Sequence, residues 1–324
     1  MLPELAAHLR DALGVQQKRE IQAAARHLPS LASGPWGTAP VRLGDDCAAI
    51  PDGEGYLLLA AEGIWPELVA REPRFAAYCS VLVNVSDVYA MGGRPLAVVD
   101  TLFATDGEAA EPLWAGLRDA AARFGVPIVG GHTNLHSPYP ALAAAILGRA
   151  RQLITSFDAR PGDDLILAVD LRGQMHGRYP FWNATTEAPA DRLRADHELL
   201  PALAEAGVVA AGKDVSMGGV IGTAVMLLEA SGVGATLSLD ALPRPPGVPW
   251  ETWLLAFPSY GFLLAAPPVR SGRAVKAFAA RGIDAAVVGR VDETRRLVLA
   301  AASARATVWD LAGTPLTGFT GGLS

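Results

Sequence analysis

Residues 74–95 read RFAAYCSVLVNVSDVYAMGGRP. Between Arg74 and Met91 the apolar residues come too densely to leave a polar face, so the spacing predicts a helix buried on nearly all sides. Gly92-Gly93 with Pro95 just beyond is the stop signal expected at its C-terminus. The run holds one carboxylate, Asp87, and Ser80, Asn84 and Asp87 fall at i, i+4 and i+7 on one stripe. A buried carboxylate without a partner costs on the order of several kcal/mol or becomes protonated. Asp87 is therefore either a metal ligand or an anchor paired with a loop or an arginine.

Around this helix the chain alternates strands with helices. YLLLAAEGIW (56–65) reads as a buried strand, LAVVDTLFA (96–104) as another, 108–125 as an amphipathic helix, and VPIVGG (126–131) and ALAAAILGRA (141–150) as strands. Residues 1–28 read as one or two short helices and 29–40 as a small-residue loop. A second unit opens at ARPGDDLILAVDLRG (159–173), a turn followed by a strand, which puts the boundary near 149–160 and the units at 1–150 and 151–324. Beyond it we expect helices at 191–206, 220–231 and 271–281 and strands near 235–240, 257–266 and 285–291, an α+β arrangement. Residues 174–190 lack periodicity but gather His176, Tyr179, Phe181, Trp182 and Asn183, either as a substrate-side loop or as a lid packed by its own aromatics.

The 324 residues suit two domains, and 51% hydrophobic against 19% charged residues excludes charge-driven disorder. The net charge is −6, and only three of the 27 cations are lysines (Lys18, Lys213, Lys276) with no basic run, so a nucleic-acid groove is not expected. Cys47 and Cys79 form no CxxC, no apolar stretch is long enough to span a bilayer, and the N-terminus has no signal-peptide core. The expectation is a cytoplasmic protein with no membrane partner.

Three further motifs carry candidate chemistry. Gly44-Asp45-Asp46 offers adjacent carboxylates, which suit a divalent cation and also occur in plain Asp-rich turns. Lys213-Asp214-Val215-Ser216-Met217-Gly218-Gly219 stands directly before a predicted helix, where main-chain N–H groups favour an anion but also serve ordinary capping. Gly207 to Lys213 fits GxxxxGK, yet Asp214 stands where a P-loop has Ser or Thr, so no P-loop is read there. Gly130-Gly131-His132-Thr133 follows a strand end and can face a ligand.

Taken together, GDDCAAI (44–50), NVSDVYAMGGRP (84–95), VPIVGGHTN (126–134) and KDVSMGG (213–219) occur in the order and approximate spacing of one superfamily. The chain resembles the ATP-dependent proteins that include AIR synthase, thiamine-monophosphate kinase, selenophosphate synthetase and the hydrogenase maturation dehydratase, most closely the AIR synthase-related group. The resemblance implies a two-domain PurM-like fold: an N-terminal sheet-and-helix domain that forms a dimer barrel, and a C-terminal α/β sandwich domain. It implies ATP and Mg2+ as cofactors, a small-molecule substrate and a homodimer. Asp45, Asp46, Asp87 and Asp214, with Glu62 where the kinase has an aspartate, are the implied metal ligands. Gly92, Gly93, Gly130, Gly131, Thr133, Ser216, Gly218 and Gly219 are the implied nucleotide contacts, and Lys213 and His132 the implied catalytic pair. The selenophosphate synthetase cysteine has no counterpart, Lys18 stands remote from every motif, and SMGG and GGHT replace the kinase's SDGL and GGDT. The reading is an ATP-dependent phosphotransferase or ligase, with a thiamine-monophosphate kinase-like enzyme or a catalytically silent nucleotide-binding partner as alternatives.

Overall fold

The computed structural model describes residues 2–29, 31–177 and 179–319. The chain opens with α1 (Leu2–Asp11), α2 (Leu13–Gln16) and α3 (Ile21–His27), followed by an antiparallel ladder of β1 (Leu31–Gly34) and β2 (Gly37–Arg42) where the sequence suggests only a loop. The first domain holds β3 (Ala48–Asp52), β4 (Gly55–Gly63), α4 (Pro66–Arg71), α5 (Pro73–Ala90), β5 (Arg94–Phe103), α6 (Gly107–Phe124), β6 (Ile128–Asn134) and β7 (Ala141–Ala150). Its five strands lie in the order β3-β4-β7-β5-β6, antiparallel except for β5 beside β6.

α5 is the helix predicted over 74–91. Pro73 starts it, where the missing N–H costs nothing, and Gly92 at φ +74° ends it. Every residue from Ala76 to Ala90 except Val83 is buried, because β4, β5 and β7 lie on one side and α6 on the other. The polar stripe is partly spent on this docking: Asn84 Nδ2 donates to Ser80 O (2.8 Å) and to Ala144 O of β7 (3.2 Å), and Ser80 Oγ donates to Ala77 O (2.8 Å).

The second domain runs through β8 (Asp164–Val169), the short ladder β9 (Gln174–Met175) with β10 (Trp182–Asn183), α7 (Ala190–His197), α8 (Leu199–Glu205), β11 (Ala211–Asp214) and α9 (Gly219–Ser231). It continues with β12 (Gly234–Ser238), α10 (Trp250–Trp253), β13 (Gly261–Ala266), α11 (Pro268–Ala279), β14 (Asp284–Asp292), β15 (Arg296–Ala301) and β16 (Ala304–Asp310). Seven strands take the order β11-β13-β8-β14-β12-β15-β16. Both faces of this sheet are covered, so β8 and β13 read as unbroken apolar runs. Ile166, Ala168 and Leu264 face the core shared with the first domain, while Leu165, Leu167 and Leu263 face a second core around α9.

Leu2, Ala6, Leu9 and Val15 belong to that second core, so the N-terminal helices pack with residues 159–316 although they precede the first domain in the chain. Residues 174–190 pack inward: Tyr179, Phe181 and Trp182 are buried, His176 stacks on Phe75 (3.8 Å) and bonds Glu72 (2.6 Å), and Trp182 Nε1 donates to Asp170 O (2.8 Å). Phe181 also packs on Phe257 and Trp182 on Trp253, so the rings dock on residues outside the segment. Among the described residues no helix is long and apolar enough to cross a membrane.

Candidate metal centre

Three carboxylates from three elements meet where the domains face each other. Asp46 lies in the turn before β3, Asp87 in the last turn of α5, and Asp214 ends β11, which the ladder with β13 holds rigidly. One oxygen of each lies within 4.8 Å of the others. Asp46 Oδ2, Asp87 Oδ2 and Asp214 Oδ1 are buried and accept no hydrogen bond. The remaining donors nearby fix how the carboxylates sit: Lys213 Nζ donates to Asp46 Oδ1, and Ser259 Oγ donates to Asp214 Oδ2 (2.8 Å). Each of these two aspartates is thus held by one oxygen, while the other is buried without a hydrogen bond.

Convergence of like charges out of water raises these acids. Burial, then Asp214 and Asp46, pushes Asp87 well above the usual carboxylate range, and burial followed by Asp46 pushes Asp214 up to about 7. Lys213 is 5% exposed; burial works to lower its pKa, and Asp46, Asp45 and Asp214 together outweigh that and raise it. Such a set is unfavourable until a cation enters. Mg2+ is a hard cation that takes oxygen ligands, and a set of three carboxylates fits that ion by the chemistry of its donors.

The structure separates the two adjacent aspartates. Asp45 turns away from the centre: its Oδ1 accepts from Ser156 Oγ (2.6 Å) and Asp46 N (2.9 Å), and its Oδ2 accepts from Ser156 N (2.9 Å). Burial and Asp46 push it up to about 6. Asp45 anchors the turn to the segment joining the domains and lies outside the three-oxygen group. Glu62 lies outside the three-oxygen group; burial raises its carboxyl and Lys18 works against that.

Lys18 is the residue that the sequence reading sets aside. It lies in the turn between α2 and α3, and its charge acts on Glu62, Lys213, Asp214 and Asp46, with burial lowering its own pKa. No local pattern marks it, because its neighbours come from residues 62 and 213–214. Packing of α1 and α2 on the second core is what carries it there.

Close packing requires glycine at several of the expected nucleotide positions. A Cβ on Gly92 would stand 2.9 Å from Gln152 O and from Ala204, and one on Gly93 would enter Leu58; both residues are buried. Gly218 (φ +95°) faces Gly14 O, and Gly219 (φ +63°) lies against Leu254 and Leu255. At the start of α9 the N–H groups of Gly219 and Ile221 donate to Ser216 O (2.9 Å) and Leu254 O (3.3 Å), and Ser216 N donates to Thr223 Oγ1 (3.3 Å). These three N–H groups are thus paired within the protein. Gly130 and Gly131 are exposed, and a side chain at Gly131 would strike Asp100. Strand alternation puts Thr133 on the α5 side of the sheet, with its partner Leu102. The same alternation puts His132 on the opposite side, paired with Thr101 and 5.9 Å from the Phe103 ring. Within one chain, His132 therefore does not join Lys213.

A family model described as AIR synthase related protein, N-terminal domain, matches residues 44–150, and the corresponding C-terminal domain model matches residues 160–301. The chain belongs to the AIR synthase related protein family. This AIR synthase related protein is 53% identical over 323 residues to an uncharacterized protein of Synechocystis sp., a match covering 99% of both chains. It is 27% identical over 307 residues to selenide, water dikinase of Myxococcus xanthus, covering 80% of this chain and 85% of that one. Among solved structures, T. maritima PurL complexed with ATP shares the fold at a TM-score of 0.72 and 24% identity, over 92% of this chain. The AIR synthase related chain spans about half of that PurL chain, 50%.

Proposed function

We propose that this protein is an ATP- and Mg2+-dependent enzyme that phosphorylates, or activates by phosphorylation, a small polar metabolite. The observation that carries the reading is the trio of buried, unpartnered carboxylate oxygens on Asp46, Asp87 and Asp214. The ATP in the PurL complex and the dikinase name of the Myxococcus relative support it. Mg2+ bound there supplies positive charge for phosphate oxygens, the chief demand of phosphoryl transfer. Asp46, Asp87 and Asp214 hold the ion; Lys213 orients Asp46, and Ser259 orients Asp214. Lys18, whose charge interacts with Glu62, Asp214 and Asp46, offers a further cation to a phosphate.

Equilibrium dialysis with ATP, with and without Mg2+, tests the first half: magnesium-dependent binding is expected, and its absence rejects the reading. ADP release across a panel of metabolites tests the second half; binding without any stimulated ADP release assigns the chain to the silent nucleotide-binding class.

A homodimer through the first sheet belongs to the same proposal. The face of that sheet turned away from α5 exposes Val99, Leu59, Leu147 and Val129, among Ala61, Ala143 and Ala145. An uncovered apolar face across several strands is what a second, symmetry-related copy covers. Sedimentation is expected to give a dimer for the wild type and a monomer for Val99→Arg; two dimers or two monomers exclude this interface.

A further inference from the structure

The turn that carries Asp46 is gripped from both ends by residues that lie outside every motif. On one side, Asp45 is tied to Ser156, and Ser156 O in turn accepts from Ser231 Oγ at 2.7 Å. Ser231 Oγ also accepts from Ala159 N (3.1 Å), so one hydroxyl fixes both ends of the 156–159 segment. On the other side, the ring of Phe319 rests on Gly44: a Cβ at that glycine, which sits at φ +105°, would stand 2.5 Å from Phe319 Cβ. Gly44 is required there for both reasons at once.

Phe319 is placed by a strap of residues 315–319. The buried carboxylate of Glu229 accepts from Leu316 N (2.8 Å), Thr317 N (2.7 Å), Thr317 Oγ1 (2.7 Å) and Gly318 N (3.3 Å). Gln22 Nε2 donates to Pro315 O and Leu316 O, both at 3.0 Å, and Leu316 is fully buried. Glu229 and Ser231 both belong to the last turn of α9, a helix buried along nearly its whole length, while Asp214 lies a few residues before its first turn. One rigid helix therefore stands next to one metal ligand at its start and holds both ends of the turn bearing another at its finish.

We infer that Glu229, Ser231 and Phe319 are positioning residues for the Asp46 ligand, with the last turn of α9 setting the geometry of residues 44–46 through the strap and through Ser156. The inference rests on the metal reading above and names the device that keeps the third oxygen in register with the other two. Such a ligand has to be held within a fraction of an ångström of its working position.

The test is Mn2+ binding to the full chain, followed by the electron paramagnetic resonance signal of the free ion, alongside urea denaturation without metal. Phe319→Ala is expected to weaken Mn2+ binding about tenfold, equivalent to about 1.4 kcal/mol, and Phe319→Leu to restore it. Ser231→Ala is expected to weaken Mn2+ binding in the same direction and decides the matter should Phe319→Ala fail to fold. Wild-type Mn2+ affinity in the variants that fold, with only the urea midpoint lowered, overturns the inference and leaves the metal reading standing. No Mn2+ binding by the wild type overturns both.

Discussion

Replacing Lys213 by methionine is expected to destabilise the metal-free chain by about 3 to 5 kcal/mol, the usual cost of removing one partner of a buried ion pair. Methionine keeps most of the apolar stem, so the change isolates the charge. Lys213 is buried beside Asp46, with Asp45 and Asp214 also acting on it, and Lys18 is a further cation interacting with Asp46 and Asp214. The pH dependence has a definite sign. Asp214 is already pushed up to about 7, above its unfolded value of 3.8, and loses a cation that lowers it. The folded variant then binds more protons than the unfolded chain, so its stability is retained at acid pH and lost as pH rises through the folded value. Mg2+ is expected to return much of the stability by binding only the folded state. Urea denaturation at pH 6 and pH 8, with and without Mg2+, measures all three effects; a variant as stable as wild type at pH 8 without metal contradicts the charge balance assigned to the site.

The same centre marks what the sequence discloses and what it withholds. α5 was legible because an apolar run with a single carboxylate has few other readings, and the order of the motifs grouped Asp46, Asp87 and Asp214. The two aspartates of GDD could not be told apart, since their roles depend on which way a turn aims each side chain, and that is set by Ser156, over a hundred positions away. Lys18 gave no signal because its neighbours are tertiary. The glycine pairs are ambiguous for a physical reason: close backbone approach demands glycine whether the approaching group is a phosphate or, as at Gly219, a leucine main chain. β15 and β16 also escaped, because the alanines of LVLAAASARATV dilute the alternation that Leu297, Leu299 and Val308 carry into the core. Glu229 sits in no motif, and its four donors come from residues 316–318, nearly ninety positions on.

Asp87→Asn is expected to move stability and binding in opposite directions. Asparagine has nearly the shape of aspartate, so packing in α5 is preserved while a charge is removed from a position where burial, Asp214, Asp46 and Glu62 all disfavour it. The metal-free chain should gain about 1 to 3 kcal/mol, because a carboxyl whose pKa is raised on folding costs about 1.4 kcal/mol for each unit of that rise. Magnesium-dependent ATP binding should fall by about a hundredfold or more, at or beyond the upper end of the loss seen on altering even outer-sphere partners of a metal. A residue that serves only as an anchor gives a different pair of results: its replacement lowers stability and leaves the Mg2+ dependence intact. Urea midpoints without metal, set beside Mg2+-ATP titrations of the same preparation, separate the two roles of Asp87 that the sequence alone leaves open. A gain in stability with loss of magnesium-dependent binding identifies a ligand, because only a carboxylate kept for a cation is better absent when the cation is absent.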